Sequence, residues 1–363
     1  MKKIGLMGCG VVAQYGHLPA ILATDGANGE PGLILHALYD PYEAPLQTAW
    51  AMTSSAPPAG SPSGTQPIGP QPFTDIDAFF ASGIEAVSIT SPAPVHYDNV
   101  LRAAKAGLPV LCEKPLATTS AQAAEMIAAM DAAGATLHTA FCYRFSPAAL
   151  EIRRLVRAGA IGTVRSLRLI YNWGLHGKFS TDAQGNRILQ QRRVGRMLEG
   201  GPLVDCGTHQ IDLAMFWLDS PIVRYSGHGA WADDYEAPDH VWLHMDHACG
   251  AHTVVEVSYS YHHTSRRARS EFVYELIGTR GVIRYDREAQ TFTVENDEGS
   301  QSLPWAPEKS FEGLYAEWAR ALASGSSELL TTAQAGTQVT EIARETTNQA
   351  IASRLAVATA GAA

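Results

Sequence analysis

The start of the chain places glycines directly after a short apolar segment. Residues 3–7 read as a buried strand, and Gly8, Gly10 and Ala13 follow in the order G-x-G-x-x-A at the start of an apolar helix. Gly8 allows a tight turn, Gly10 lets backbone N–H groups approach a pyrophosphate, and Ala13 lets the helix pack close to the strand. Turn glycines also occur without a ligand, but their position behind an apolar strand favours a dinucleotide-binding fold.

A carboxylate follows the second apolar segment. Leu33–Tyr39 reads as a strand and ends in Asp40, with no arginine in the next few residues. A carboxylate there accepts hydrogen bonds from the adenosine ribose and repels a 2′-phosphate. The sequence therefore predicts NAD in preference to NADP, with Val11 and Val12 beside the phosphates. The alternative is a turn aspartate that precedes a proline.

A carboxylate and an ammonium stand at the end of another apolar segment. Residues 109–112 read as a strand, and Glu113, Lys114 and Pro115 follow it. Open α/β sheets place their chemistry at the carboxyl ends of their strands. We expect Lys114 to lie beside a bound nicotinamide, whose positive ring favours a lowered pKa for the lysine.

The pattern of elements changes along the chain. Strands and helices alternate as far as about residue 141, whereas apolar strands follow one another beyond Gly162, which suggests an antiparallel sheet. Residues 54–72 are rich in Pro, Gly and Ser and are interpreted as a surface loop. Strands are predicted at residues 33–39, 84–90, 109–112, 136–141, 164–173, 241–245, 253–261, 272–278, 282–285 and 291–295, and helices at 76–81, 95–106, 120–133, 208–218, 311–323 and 332–356.

Size, charge and cysteine content restrict the class of protein. A length of 363 residues favours two domains, and the net charge of −9 offers no basic face for nucleic acid or an anionic membrane. The five cysteines are scattered, which argues against a disulfide framework and a zinc finger. No apolar run approaches the ~20 residues of a membrane span, and the apolar stretch before Cys9 is shorter than the ~7 residues of a signal core. We expect a cytoplasmic protein.

Several motifs occur together in one order. They are Gly8-x-Gly10, Ser91-Pro92 with His96, Glu113-Lys114-Pro115, Tyr143-Arg144-Phe145-Ser146-Pro147, residues 200–212 with the pattern D-x-G-x-H, and residues 278–281. In these motifs the chain resembles the Gfo/Idh/MocA oxidoreductases. The resemblance implies a Rossmann NAD-binding domain, residues 1–143, and an α+β substrate-binding domain, residues 144–363. It implies an open, mainly antiparallel sheet that forms a homodimer or homotetramer, and sugar, polyol or cyclic-alcohol substrates.

The resemblance also implies site residues. Lys114 matches the active-site lysine of E-K-P, and Asp205 and His209 match the acid and the histidine of D-x-G-x-H. The residues expected to bind the cofactor are Gly8, Gly10, Val11, Val12, Asp40, Ser91, Pro92, His96, Glu113 and Lys114. Ala93 replaces an asparagine that many members carry, so a side-chain amide contact is lost, and Pro202 replaces a glycine before Asp205.

The chemistry of alcohol oxidation assigns roles to these side chains. Asp205 and His209 are four residues apart at the start of a predicted helix, so both can project from one face. The helix N-terminus disfavours imidazolium, which suits His209 as the general acid/base. Lys114 then donates a hydrogen bond near the reacting oxygen, and Asp205 orients the substrate and the lysine. The alternative is that Asp205 caps the helix and His209 merely lies on its face.

Other polar and aromatic side chains are candidates for substrate contact. Tyr171, Trp173 and His176 end a predicted strand, and aromatic rings suit sugar faces, although aromatics often only fill cores. Arg144 belongs to the motif before the second domain. Arg192, Arg193 and Arg196 can reach substrate or be solvated on the surface.

A group of histidines suggests a metal site. His240, His244, His247 and His252 are close together in sequence, but they lie in two strands around a turn, as in a hairpin. Metal binding also needs convergent geometry and a second shell of hydrogen bonds. We expect no metal and keep a zinc site as the alternative.

Three functions fit these motifs. The leading interpretation is an NAD-dependent oxidoreductase that acts on a secondary alcohol of a sugar, sugar derivative, cyclitol or glycoside. The first alternative is a glycosidase that uses tightly bound NAD in transient oxidation, elimination and re-reduction. The second is a non-catalytic NAD or sugar sensor, which has no chemical need for Lys114, Asp205 and His209 together.

Overall fold

The computed structural model describes residues 1–54, 69–173, 179–182, 184–189, 191–261 and 269–361. The chain divides into two compact units. The first contains Met1–Phe145 and Lys309–Thr337, and the second contains Ser146–Glu308 and the residues from Gln338 onward.

The first unit has the predicted alternation of strands and helices. Its strands are β1 (Lys2–Met7), β2 (Leu33–Tyr39), β3 (Gln71–Phe73), β4 (Ala86–Ile89), β5 (Val110–Cys112), β6 (Leu137–Thr139) and β17 (Thr331–Thr332). Its helices are α1 (Leu18–Ala23), α2 (Glu43–Thr53), α3 (Ile76–Phe80), α4 (His96–Lys105), α5 (Ser120–Ala132) and α9 (Phe311–Ser324), with a π-helical turn at Ala13–His17 and 3-10 turns at Ala27–Gly29, Ala93–Val95 and Cys142–Phe145.

Among the residues that the structure describes, the first unit forms a seven-stranded sheet in the order β17-β6-β5-β4-β1-β2-β3. Every neighbouring pair is parallel except β17 and β6. Strands β4 and β5 are buried throughout, as expected for a sheet with both faces covered. Because β1, β4 and β5 are neighbours, the segments that follow them, at Gly8, Ser91 and Glu113, meet at one edge of the sheet. The predicted Rossmann fold is confirmed.

The division into units differs from the expected boundary between residues 143 and 144. The chain leaves the first unit at Phe145, two residues later, but Lys309–Thr337 returns to it. Leu314, Tyr315 and Trp318 of α9 are fully buried in the core that β1 and α1 also form. An amphipathic helix requires an apolar partner surface, and its sequence does not say which domain supplies that surface.

The second unit contains the strands that follow one another. They are β7 (Val164–Trp173), β8 (Phe179–Thr181), β9 (Arg187–Leu189), β10 (Ile222–Ala230), β11 (His240–His247), β12 (His252–Ser258), β13 (Ser270–Gly278), β14 (Gly281–Asp286), β15 (Thr291–Asn296) and β16 (Gly299–Ser302). The helices are α6 (Pro147–Arg157), α7 (Gln191–Leu198), α8 (Thr208–Leu218) and, from Gln338 onward, α10 (Ala333–Gly361), and Leu203–Gly207 forms a π-helical turn.

Within the described part of the second unit, eight strands form a sheet in the order β10-β11-β12-β7-β13-β14-β15-β16. Its neighbours pair antiparallel, apart from β12 and β7, so the expected mainly antiparallel sheet is confirmed. Burial alternates along β11, whose inward residues are Val241, Leu243 and Met245. Trp217 of α8 packs on Tyr274 of β13 and donates a hydrogen bond to the Ala149 carbonyl of α6, which fixes both helices on one face of the sheet.

Some elements differ from the sequence prediction. The predicted loop at 54–72 falls mostly on residues 55–68, outside the described ranges, but Gln71–Phe73 forms the edge strand β3. An edge position tolerates Pro72, which has no N–H to donate. Strand β10 was not predicted because its glycines and exposed polar residues break the alternation. None of the helices in the described part of the chain is long and apolar enough to cross a membrane.

Candidate active site

The first turn after β1 has the geometry expected of a dinucleotide-binding loop. Gly8 has a φ of +100°, and a Cβ there would lie 2.4 Å from the backbone nitrogen of Ser91, so the fold itself requires glycine. At Gly10, by contrast, a Cβ would meet no described heavy atom within 4 Å. The space above Gly10 is therefore open, as a loop that receives a ligand against its backbone requires. Val11, at the start of the helix, is 63% exposed beside this space.

Asp40 is held beside the same loop. It ends β2, is 7% exposed, and accepts hydrogen bonds from the backbone N–H groups of Cys9 and Tyr42, both at 2.9 Å. The contact with Cys9 ties the carboxylate to the glycine loop, where an adenosine ribose would lie in this fold. The negative charge and acceptor oxygens suit ribose hydroxyls, so the side chains present fit a dinucleotide cofactor.

His96 joins two segments of the same edge. Its Nε2 lies 2.7 Å from the Ser91 carbonyl and its Nδ1 lies 3.0 Å from the Pro115 carbonyl, and the residue is 1% exposed. Burial lowers the pKa of His96. Asn99, which the sequence reasoning did not identify, donates a hydrogen bond to Ser91 Oγ at 3.1 Å. Both ring nitrogens of His96 therefore face backbone carbonyls, and its observed contacts position the Ser91 and Pro115 segments.

Glu113 and Lys114 follow β5 at the predicted edge and are half-buried. Glu113 Oε2 accepts a hydrogen bond from the Lys114 N–H at 2.9 Å, and Oε1 lies 2.9 Å from His17 Nε2. The other nitrogen of His17 lies 2.8 Å from the Tyr315 hydroxyl. The sequence reasoning missed His17 and Tyr315. The available signal for His17 was a titratable side chain within the mainly apolar first helix.

The second unit holds Asp205 in the π-helical turn that precedes α8. Its carboxylate forms an ion pair with Arg196 of α7 and accepts a hydrogen bond from the Tyr259 hydroxyl. Burial, followed by the nearby Cys206 thiol, raises the pKa of Tyr259, which keeps the hydroxyl protonated as a donor. Within the described residues, Gly207 precedes α8 without a side-chain cap. The Asp205 carboxylate therefore contacts a cation and a phenol of the second unit, and Arg196 has a defined partner.

His209 is the second residue of α8 and is 9% exposed. The residues between it and Asp205 have helical dihedral angles, with φ −65° and ψ −22° at Gly207 and φ −55° and ψ −34° at Thr208. A helical connection is the condition under which side chains four residues apart lie on one face. The local backbone thus meets the requirement for Asp205 and His209 to point the same way.

The expected substrate residues have different environments. Arg144 is buried, and its Nη1 donates a hydrogen bond to the Leu329 carbonyl at 3.2 Å within the first unit. Tyr171 is buried, with its ring stacked at 6.1 Å on Trp173 and edge-to-face at 4.9 Å on Phe272. These contacts favour packing for Tyr171, whereas Trp173 is partly exposed at the end of β7. His176 and the side chains of Arg192 and Arg193 lie outside the described residues.

The histidines of β11 and β12 form pairwise contacts across the predicted hairpin. His244 Nδ1 lies 3.3 Å from His252 Nε2, and His252 Nδ1 lies 2.7 Å from Asp246. His247 is buried, and its Nε2 lies 2.9 Å from the Thr253 hydroxyl. His240 Nε2 lies 3.3 Å from the Glu256 carboxylate. In the part of the chain that the structure describes, no group of three or more His, Cys, Asp or Glu side chains is arranged to hold a metal ion.

A cavity of about 260 Å³ lies in the second unit, between the end of α7 and α10. Met197, Val204, Tyr235, Arg344 and Asn348 contribute to its lining. Asp205 and His209 do not line it, so this cavity is separate from the expected catalytic side chains.

Comparisons with known proteins identify both units. Residues 2–141 match the sequence model described as "Oxidoreductase family, NAD-binding Rossmann fold", and residues 149–284 match that of the "GFO/IDH/MocA C-terminal domain". D-apiose dehydrogenase of Paraburkholderia graminis is 28% identical over 311 residues, which cover 84% of this chain and 72% of that relative. The scyllo-inositol 2-dehydrogenase (NAD(+)) of Bacillus subtilis is 30% identical over 208 residues, or 55% of each chain.

Solved structures of other proteins share the fold. The crystal structure of aldose-aldose oxidoreductase from Caulobacter crescentus superposes with a TM-score of 0.75 at 21% identity, covering 96% of this chain and 97% of that one. With both domains matched in sequence and the glycine loop, Glu113-Lys114 and Asp205-x-x-x-His209 in place, the chain belongs to the Gfo/Idh/MocA family of oxidoreductases.

Proposed function

We propose that the protein is an NAD-dependent oxidoreductase that transfers a hydride between nicotinamide and a secondary alcohol of a sugar, sugar derivative, cyclitol or glycoside. The names of the relatives, D-apiose dehydrogenase and scyllo-inositol 2-dehydrogenase, support this substrate class. The observation that carries the proposal is the environment of Asp205. Arg196 and Tyr259 orient its carboxylate, four residues before His209, in the turn that leads into α8.

The first unit provides the cofactor site in this proposal. The open face of Gly10 and the N-terminus of the following helix would receive the pyrophosphate, and Asp40 would accept hydrogen bonds from the adenosine ribose. Ser91, Pro92 and Glu113 would line the nicotinamide end. When bound, the nicotinamide supplies the hydride acceptor for alcohol oxidation. The charge of Asp40 favours NAD over NADP, since a 2′-phosphate would face a carboxylate.

The protein side chains then manage the proton and the developing charge. We assign His209 as the general base that takes the hydroxyl proton of the alcohol, because neutral imidazole accepts a proton near pH 7. Lys114 donates a hydrogen bond to the reacting oxygen and stabilises negative charge there. Asp205, held by Arg196 and Tyr259, orients the substrate. Trp173 offers a partly exposed ring for a sugar face.

The remaining assignments follow from these roles. We propose that the first domain binds NAD and the second binds substrate, and that the eight-stranded sheet forms a homodimer or homotetramer through its open face. Burial alternates along β11 and β12, which leaves partly exposed aromatic and polar residues on that face, including Trp242 and Glu256. We place the protein in the cytoplasm.

A substrate panel tests the function. Purified protein is incubated with aldoses, inositols, sugar acids and glycosides, each with NAD and with NADP, and reduced cofactor is followed by absorbance. We expect NADH to form with at least one member of the panel, and the Lys114→Ala variant to abolish its formation. Absence of NADH throughout, with chromophore release from an aryl glycoside in the absence of added NAD, would contradict net oxidation and support the glycosidase.

A further inference from the structure

A line of buried side chains ends at the Glu113 carboxylate. Ser88 Oγ of β4 lies 2.6 Å from the Tyr315 hydroxyl of α9, which lies 2.8 Å from His17 Nδ1. His17 Nε2 in turn lies 2.9 Å from Glu113 Oε1. Ser88, Tyr315 and His17 are fully buried, and the side chain of Glu113 is 13% exposed. The proposed chemistry assigns no role to Ser88, Tyr315 or His17. Burial of a polar side chain costs free energy unless the side chain forms hydrogen bonds, so these three residues call for an explanation.

Hydrogen-bonding capacity fixes the direction of this line. An ionised Glu113 can only accept, so His17 Nε2 must carry a proton. Nδ1 of a neutral imidazole is then an acceptor and receives the Tyr315 hydroxyl proton, and Tyr315 oxygen accepts from Ser88. Every donor is used in this arrangement.

The opposite arrangement leaves a group unsatisfied. If His17 carried both ring protons, Tyr315 would accept from Nδ1 and donate to Ser88. The Ser88 hydroxyl proton would then have no acceptor among the hydrogen bonds of the described chain. A buried donor without an acceptor costs about 1–3 kcal/mol. The geometry therefore favours neutral His17 beside ionised Glu113.

We propose that Ser88, Tyr315 and His17 form a directional hydrogen-bond relay that holds the Glu113 carboxylate ionised and fixed, and thereby positions Lys114. The last link is the hydrogen bond from the Lys114 N–H to Glu113 Oε2. His17 and Tyr315 are thus positioning residues. The effect of His17 and Tyr315 on catalysis rests on the proposed role of Lys114. The hydrogen-bond relay does not depend on that role.

The electrostatic surroundings agree with an ionised Glu113. The pKa of Glu113 is lowered: burial opposes its ionisation, whereas the hydrogen bond from His17, the charge of Lys114 and the hydrogen bond from the Lys114 N–H favour it. Burial raises the pKa of Tyr315 and keeps it a donor. The other titratable groups that interact with Glu113 are the Cys112 and Cys142 thiols and His96, and Lys309 acts on Cys142. Burial raises the pKa of both thiols, so neither adds a charge at neutral pH.

Removal of His17 should therefore favour the protonated form of Glu113. With its principal donor gone, burial remains and the pKa of Glu113 rises. We expect the acid limb of the kcat profile of His17→Leu to move up by about one pH unit or more. His17→Gln, whose amide N–H can replace Nε2–H, should restore most of that shift. Tyr315→Phe, which deprives Nδ1 of its donor, should show a smaller shift of the same sign.

A spectroscopic titration separates the relay from the activity. Infrared difference spectra of the NAD-loaded protein are recorded against pH, and the C=O band of protonated Glu113 is identified by its loss in Glu113→Gln. We expect this band to appear at higher pH in His17→Leu than in the wild type, and near the wild-type pH in His17→Gln. This measurement needs no substrate, so it stands even if the proposed reaction is wrong.

A matched control addresses the loss of a buried hydroxyl. Tyr285→Phe in the second unit removes a similar hydrogen bond, from the Tyr285 hydroxyl to the Ala306 carbonyl at 2.8 Å. It should leave the Glu113 band and the kcat profile unchanged. An unshifted Glu113 band in both Tyr315→Phe and His17→Leu would overturn the relay. If His17→Leu does not fold, an unshifted band in Tyr315→Phe, together with an unshifted kcat profile of that variant, is sufficient to reject it.

Discussion

The hydroxyl of Tyr259 donates a hydrogen bond to the carboxylate of Asp205, although the two residues are 54 positions apart. Arg196 pairs with the same oxygen, Oδ2. A neutral and a cationic donor from different segments of the second unit thus orient the carboxylate, and the neighbouring Cys206 thiol donates to the same oxygen at 3.8 Å. Asp205 lies in a π-helical turn before α8, and these donors hold its side chain in one direction.

Tyr259→Phe tests whether that orientation matters for the reaction. The substitution keeps the ring and removes the hydroxyl donor. We expect kcat/KM to fall at least tenfold, since a hydrogen bond to a charged group is worth roughly 1.5–3 kcal/mol and about 1.4 kcal/mol corresponds to a factor of ten. The measurement is kcat/KM at saturating NAD, with Tyr285→Phe as the control for a lost buried hydroxyl. An unchanged kcat/KM would remove Tyr259 from the site.

The proposed catalytic roles of Lys114 and His209 are tested by Lys114→Ala and His209→Ala. Each should lower kcat by about 10² or more if the residue takes part in proton transfer or charge stabilisation. NAD affinity, measured by fluorescence titration, should change little in His209→Ala. Lys105→Ala, at an exposed lysine in the last turn of α4, is the matched control and should retain full turnover. Near-normal kcat in either variant would exclude that residue from the mechanism.

The two glycines of the first loop should respond differently to alanine. Gly8→Ala places a methyl group 2.4 Å from the Ser91 nitrogen at a positive φ, so we expect a loss of stability of about 2 kcal/mol or more and a lower Tm. Gly10→Ala meets no described atom within 4 Å, so Tm without cofactor should change little. NAD affinity should nevertheless fall at least tenfold because the methyl group occupies the space proposed for the pyrophosphate.

Thermal melts with and without NAD measure both effects on the same samples. In the wild type, NAD should raise Tm, since a ligand that binds only the folded state stabilises it. Gly10→Ala should lose most of that rise. If Gly10→Ala keeps the full rise, the dinucleotide does not lie against this part of the loop.

The features that could be predicted from the sequence are those encoded locally. Gly8 and Gly10, Asp40 and Glu113-Lys114 each directly follow an apolar strand, so their place at the carboxyl edge of the first sheet follows from the alternation of strands and helices. The consecutive strands in the second half of the chain likewise predicted a mainly antiparallel sheet. In each case a few neighbouring residues are enough to predict the element and its place in the sheet.

The features that could not be predicted depend on distant partners. Nothing near Tyr259 in sequence indicates Asp205, and nothing near Tyr315 indicates His17, because both contacts arise only when separate elements pack. The return of α9 to the first unit has the same cause, since its apolar face fits any comparable core. Strand β10 lacked the alternation that identifies a strand because Gly227 and Gly229 approach Thr346 and Pro238 too closely for a side chain.

The proposed preference for NAD over NADP rests on the charge of Asp40, so a single substitution should weaken it. Asp40→Asn keeps the size of the side chain and one acceptor oxygen but removes the carboxylate that would repel a 2′-phosphate. We expect the ratio of kcat/KM for NAD to that for NADP to fall at least tenfold. The backbone N–H groups of Cys9 and Tyr42 now bind both carboxylate oxygens, so some loss of NAD affinity should accompany the change.

Two further variants distinguish the charge from the hydrogen bonds. Asp40→Glu retains the charge at a displaced position and should keep discrimination against NADP while weakening both cofactors. Glu43→Gln removes an exposed carboxylate in the first turn of α2, three residues along the chain, and should leave the ratio unaltered. An unchanged ratio in Asp40→Asn would mean that the carboxylate serves only the turn that it now stabilises, and that the choice between NAD and NADP is made by other residues.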